Sequence, residues 1–313
     1  MTNNSMKKYD AVIIGAGHNG LVCAAYLAKA GKNVVVLEAN EQVGGAAVTG
    51  ELVDGKKTSI CAHYLNQLNG KVSSELNLTS HGLKLAATDV PTIALNVDGD
   101  HLRFNGNTVQ SSNISEEDTA NYTKFMSLIH EYATTLGFLM DEPPLDIFNM
   151  DFSDKMTALK LGWKLRFGLG AEKMSEFLRM IGMNIRDVLD DEFDHEPLKG
   201  AMSFDAVLGT HTGPYSAGNF FTFLYRYASG DRGALAIPEG GMGTVTSAMA
   251  KAAKANGAEI RTAAKVKSVN VENCAVSGVV LENGEEIKSD CIISNAHIRT
   301  TVLDIVGTKY FEA

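Results

Sequence analysis

The stretch Tyr9 to Gly45, YDAVIIGAGHNGLVCAAYLAKAGKNVVVLEANEQVGG, constrains the fold more than any other part of the chain. An apolar run, Ala11 to Ile14, ends in Gly15-Ala16-Gly17-His18-Asn19-Gly20. Leu21, Ala24, Ala25 and Ala28 then continue at helical spacing to a stop at Gly31. A second β-branched run, Val34 to Val36, finishes at Glu38. Strand, tight glycine turn, helix and strand, with an acid at the tip of the second strand, make a dinucleotide-binding βαβ unit. Gly15 permits the turn, Gly17 lets backbone approach a pyrophosphate, and Gly20 lets helix and strand pack closely. The helix N-terminus presents N–H groups and a positive dipole end to phosphate, and Glu38 can accept from a ribose diol. The expected fold class is α/β with a Rossmann-like domain, and the expected cofactor-binding residues are Gly15, Ala16, Gly17, His18, Asn19, Gly20, Glu38 and Ala39.

Six residues beyond Glu38 comes the doublet Gly44-Gly45, a second place where bare backbone could lie along a ligand. These residues alone leave the dinucleotide open. The segment LEANEQVGGAA resembles the E-x5-GG extension of FAD-binding flavoproteins related to amine oxidases and phytoene desaturases. That resemblance implies FAD, a nucleotide domain of the amine oxidase-like type, and cofactor contacts at Gly44, Gly45 and Ala46. Many of those relatives follow the doublet with Arg, where this chain has Ala46 and Ala47.

With 313 residues and 45% hydrophobic content, the chain can hold two domains with real cores. A net charge of -9 argues against a nucleic-acid footprint, which needs a concentrated basic face. No stretch has the length and apolarity of a membrane span. Met1 to Lys8 is short and polar and runs into the first strand, so no signal peptide is expected and the cytoplasm is the default location. Cys23, Cys61, Cys274 and Cys291 form no CxxC pair, which predicts no dithiol chemistry. Cys274 and Cys291 lie in strand-like sequence and read as core or half-buried residues.

Beyond the doublet, Leu52 to Lys57 reads as a strand end and turn. Thr92 to Phe104 reads as a hairpin over Asp98-Gly99, and Ser115-Glu116-Glu117-Asp118 as a capped helix start. Pro143-Pro144 ends that helix, and Asp151 to Leu208 reads as several helices. In them, Met174, Phe177, Leu178, Ile181 and Met183 read either as core or as the lining of a cavity for a greasy ligand. Asn219 to Tyr227, NFFTFLYRY, reads either as a buried helix or as a wall beside a planar cofactor or apolar substrate. Gly230-Asp231-Arg232-Gly233 and Pro238 to Gly243 lead into a helix stopped by Gly257. Strands follow, with a hairpin over Asn283-Gly284. The expected division is residues 1–80 and 236–296 for the FAD-binding domain, 81–235 for an inserted α+β substrate domain, and 297–313 for the start of a further C-terminal portion.

PEGGMG, AMAKAAKANGAEI and VSGVVLENGEEIKSDCIISNA resemble the matching segments of the phytoene desaturase-like NAD(P)/FAD-dependent oxidoreductases. The GAGHNG and GGAA forms point to the branch of pyridine nucleotide-disulphide oxidoreductase domain-containing protein 2. The resemblance implies a backbone contact to adenine at Val266. It also implies hydride transfer between an apolar, carotenoid- or isoprenoid-like substrate and flavin, by desaturation, saturation or isomerisation. An amine oxidase-like flavoenzyme is the alternative; a third reading is an inactive FAD-binding protein that needs a partner chain. Members of that family continue beyond Ser294-Asn295-Ala296 to a glycine-rich segment, so the resemblance implies a truncated chain that associates with itself or with a partner. Peripheral contact with a membrane is compatible with an apolar substrate. No catalytic residue is assigned and no metal is expected; His63, Tyr64, His211 and Tyr215 are loop residues that could serve near a flavin.

Overall fold

The computed structural model of the chain describes residues 8–140, 142–229 and 233–311. The polar segment before Lys8 and the turn at Gly230-Asp231-Arg232 lie outside the described residues. The chain divides into two units. One comprises the chain up to Leu65, Lys71–Ala87 and everything from Ile237 onward; the other comprises Asn66–Gly70 and Thr88–Ala236.

In the first unit a parallel sheet has the order Glu259–Arg261, Val34–Leu37, Ala11–Ile14, Ile292–Ser294. Every residue of its two central strands is buried, as unbroken apolar runs require when both faces are covered. The helices His18–Lys29 and Gly243–Ala255 pack against each other. Their buried residues are mostly small, Ala24, Ala25 and Ala28 on one and Ala248, Ala252 and Ala253 on the other. A second sheet has the order Lys8–Tyr9, Glu286–Ser289, Ala275–Leu281, Val266–Glu272. Its Val269, Val279, Leu281 and Ile287 share one core with Val12, Ile14, Val35 and Leu37. Each such side chain taken out of water contributes about 1.5–3 kcal/mol before entropy is charged against it.

The hairpin over Asn283-Gly284 forms with Gly284 at φ 86°. Cys274 is not a half-buried strand residue. It is exposed and sits with Asn273 in the preceding turn, the two at φ 61° and 51°, where the tight strand reversal forces a left-handed backbone. Cys291 is exposed as well. Three boundaries also differ from those expected. Asn66–Gly70, within the expected segment 1–80, falls with the second unit. Residues 81–87 stay with the first unit because Leu85–Ala87 pairs with Ile237–Pro238. Ile305, beyond residue 296, is buried in the core shared by the two sheets.

The second unit carries a three-stranded antiparallel meander, Thr92–Ala94, Leu102–Asn105 and Thr108–Gln110, with Gly99 at φ 82° in its first turn. The helix Glu116–Met140 begins where Ser115 Oγ accepts the Asp118 N–H at 2.9 Å. Tyr122, Phe125, Met126, Ile129 and Tyr132 are buried along it. The aromatic run is the helix Asn219–Tyr227, with Phe220, Phe223 and Leu224 fully buried. Phe177 is buried in the same core, Met174, Ile181 and Met183 pack partly against it, and Leu178 faces outward. For four of the five the helical spacing serves the core.

Candidate functional site: a glycine-built cradle beside a buried acid

Two glycine turns close on each other at the ends of the parallel strands. Gly15, at φ 94°, follows the Ala11–Ile14 strand and donates its N–H to the Leu37 carbonyl at 2.8 Å. Gly17 caps the helix His18–Lys29 without any side-chain acceptor, and the first turn carries no acid. The positive end of the helix is therefore left for an anion from outside. The Gly44 N–H donates to the Ala16 carbonyl at 2.8 Å, and Gly44 bridges Gly17.

The glycines differ in what they make room for. A Cβ on Gly20 would stand 2.2 Å from the Gly15 carbonyl oxygen, and one on Gly44 would stand 2.7 Å from the Ala47 oxygen and 2.8 Å from Thr246 Oγ1. Both positions are needed for chain to pack on chain. On Gly17 a Cβ would meet only the Asn295 amide nitrogen, at 2.9 Å, the movable end of a side chain. His18, Asn19, Ala39, Gly45 and Ala46 are exposed.

Glu38 is buried at the tip of the second strand. Its Oε2 accepts the Ala16 N–H at 2.7 Å, and its Oε1 accepts the N–H and the Nδ2 of Asn40, both at 3.0 Å. A carboxylate offers about four lone-pair sites, so acceptor capacity remains for a further donor. The Glu38 carbonyl accepts the Ala264 N–H at 2.8 Å, and two residues on, Val266 starts its strand, buried. Residues 15–20, Glu38, Ala39 and the 44–46 turn thus come together, with the Val266 strand joined to them through Ala264. A bare helix N-terminus, a glycine whose Cβ position only the movable Asn295 amide approaches, and a buried acid fit the ADP portion of FAD.

Three residues that the sequence did not single out support this cradle. Asn295 donates its N–H to the Ile14 carbonyl at 2.8 Å and holds its amide against Gly17 and Gly20. Thr246 Oγ1 donates to the Ala47 carbonyl at 2.9 Å. Thr49 Oγ1 accepts the Gly243 N–H and donates to the Gly240 carbonyl, each at 3.0 Å. The close approach permitted by the PEGGMG glycines is to Thr49, which a Cβ on Gly241 would meet at 2.6 Å. These contacts join segments far apart in the chain, so no local pattern announces them.

His63 and Tyr64 are exposed neighbours in the first unit with ring centroids 4.4 Å apart. His211 and Tyr215 are exposed in the second unit, and neither lines a cavity that this unit holds between the meander and its helices. That cavity, about 600 Å³, is walled by Phe104, Met202, Phe204 and Leu235 among apolar side chains and by Asp205 and Arg226. Arg226 Nη1 donates to Asp205 Oδ1 at 2.7 Å, while its buried Nε has no hydrogen-bond partner among the described residues. Burial pushes the Asp205 carboxyl up against the opposing pull of Arg226 and of a hydrogen bond from Tyr227. No helix among the described residues is long and apolar enough to cross a membrane.

The sequence model of a family described as flavin containing amine oxidoreductase matches residues 20–302. The chain is 34% identical to pyridine nucleotide-disulfide oxidoreductase domain-containing protein 2 of Rattus norvegicus, over 97% of this chain and 56% of that one. It is 27% identical to the chloroplastic prolycopene isomerase of Daucus carota, over 93% of this chain and 46% of that one. Among solved structures, an oxidoreductase from Methanosarcina mazei superposes with a TM-score of 0.57 at 20% identity, covering 94% of this chain and 60% of that one. The chain therefore spans about half the length of the curated relatives it matches.

Proposed function

The chain belongs to the flavin containing amine oxidoreductase family and its cofactor is FAD, and on that premise we propose that it moves a hydride between an apolar, isoprenoid-like substrate and the flavin. The outcome for the substrate is desaturation, saturation or isomerisation. The observation that carries the reading is the buried Glu38 beside the open glycine cradle, the arrangement an adenosine diphosphate needs. When bound, FAD supplies the hydride acceptor or donor. The protein's part is to hold the nucleotide: the Gly17 turn leaves space for phosphate, the helix His18–Lys29 turns its positive end to it, and Glu38 accepts from the ribose. The substrate class is supported by the likeness to a protein named prolycopene isomerase and by the apolar wall of Phe104, Met202, Phe204 and Leu235.

A second reading is amine oxidation, favoured by the family's description and by Asp89, which also lines that cavity. The experiment is anaerobic titration of the FAD-loaded chain, followed by visible absorption, with geraniol and detergent-dispersed lycopene against putrescine. Bleaching of the oxidised flavin by the isoprenoids alone, or reoxidation of dithionite-reduced flavin by lycopene, is expected. Bleaching by putrescine alone transfers the assignment to amines. Bound flavin that responds to none of these in either direction, with no new lycopene isomer formed on the reduced flavin, overturns the oxidoreductase reading for this chain.

A further inference from the structure

Five exposed apolar side chains of the second unit are not scattered. On the helix Phe152–Trp163 and the wider turn Lys164–Leu169 that continues it, Phe152, Met156, Leu159, Trp163 and Phe167 recur at spacings of three and four residues. They therefore share one face, and they are 79%, 39%, 65%, 65% and 64% exposed. The opposite face holds the segment to its own unit: Thr157 and Leu169 are buried, and Leu165 packs against the core. The helix is well founded, because Asp151 accepts the Asp154 N–H at 2.8 Å while Asp154 accepts that of Asp151 at 3.2 Å.

The charges beside this stripe run against the rest of the molecule. Between residues 152 and 169 stand Lys155, Lys160, Lys164 and Arg166 against the single acid Asp154, a local charge of +3 in a chain of net -9. Among the described residues none of the four cations has a carboxylate partner, and Lys164 instead lies over the Phe138 ring at 4.4 Å. On a helical projection the apolar stripe is narrow, with Lys155 on one flank and Lys160 and Lys164 on the other.

We propose that this face is an interfacial anchor that lies in the headgroup region of an anionic lipid bilayer. Aromatic and aliphatic side chains would enter the acyl boundary while the lysines meet lipid phosphate. Phe152 and Phe167 project into solvent, while Leu159 and Trp163 border a recess of about 320 Å³ together with Phe138, Lys160 and Lys164; apolar relief interleaved with lysines suits a deformable anionic surface. A second copy docked through the same face would set +3 against +3, a like-charge contact that disfavours a two-fold dimer here. The anchor needs no spanning helix, and it would hold the chain where apolar molecules dissolve.

Trp163 is the only tryptophan of the chain, so its emission reports this face alone. The test uses the FAD-loaded chain with vesicles of phosphatidylcholine, or of phosphatidylcholine with a quarter phosphatidylglycerol, followed by tryptophan emission and by flotation. A blue shift of Trp163 and co-flotation with the anionic vesicles are expected, weakening with salt. The Lys160→Glu/Lys164→Glu variant should bind at least tenfold less tightly, since each cation near such a surface is worth about fivefold. Phe152→Ser/Phe167→Ser should abolish flotation while circular dichroism and FAD binding stay unchanged, because both side chains are exposed. Unshifted emission with all protein unfloated overturns the proposal. So does a blue shift that depends on protein concentration rather than lipid and accompanies a dimer in light scattering.

Discussion

Gly17 and Gly20 stand three residues apart in one loop and carry different loads. At Gly20 an added methyl would lie 2.2 Å from a backbone oxygen, and neither helix nor strand can yield without breaking the sheet. Gly20→Ala should lower stability by about 2 kcal/mol or more, as backbone-level clashes do, with the urea midpoint as the measurement. At Gly17 the only obstacle is the Asn295 amide, so Gly17→Val should remain folded and lose FAD, its branched side chain filling the space a pyrophosphate needs. Equilibrium dialysis of FAD together with thermal melting separates the two outcomes; unchanged FAD affinity in folded Gly17→Val would count against the cradle. The turn at Gly15 and the packing contact at Gly20 were legible in the sequence, because the GxGxxG spacing encodes both within one short segment. Asn295 was not legible, since it reaches the loop only through the fourth strand of the sheet.

Among the elements, the three-stranded meander shows how a polar residue can secure a turn. Asp100 follows the Asp98-Gly99 turn, and its carboxylate accepts Ser111 Oγ at 2.7 Å, Ser112 N–H at 2.9 Å and Ser112 Oγ at 2.5 Å. These bonds, led by those from the Ser112 and Ser111 hydroxyls, hold the Asp100 carboxyl down at about 2, from 3.8. A folded-state value below the unfolded one means that ionised Asp100 favours the fold above pH 3.8, and that this support disappears as pH falls toward about 2. Asp100→Asn should therefore reduce the melting temperature at neutral pH, with the difference from the parent shrinking between pH 4 and 2. The effect will be small, because the group is open to solvent. A difference independent of pH would show that shape rather than charge secures the turn. The hairpin itself could be read from its alternation and its Asp-Gly pair. The clamp could not, since Ser111 and Ser112 lie beyond the next two strands.

For the whole molecule, the thiols make a third test. Cys61, Cys274 and Cys291 are exposed, and burial together with nearby Cys291 pushes the Cys23 thiol up, away from the reactive thiolate. Replacing all four by Ser should leave FAD affinity, melting temperature and any flavin reduction within experimental scatter; lost turnover with flavin retained would reveal a working thiol. The sequence by itself determined the parts whose chemistry is local: the βαβ unit with Glu38 at its tip, the Gly44-Gly45 turn, the Asp98-Gly99 and Asn283-Gly284 hairpins, and the capped helix after Ser115. In each, neighbouring residues set backbone angles and face periodicity within a few positions. Only the tertiary structure decided which segments meet. It brought Thr49 under the Gly241 and Gly243 backbone, returned residues 81–87 to the first unit, put Phe177 into the core and left Phe152, Trp163 and Phe167 in solvent. Periodicity states that side chains share a face, whereas what covers that face depends on long-range packing that no short segment contains.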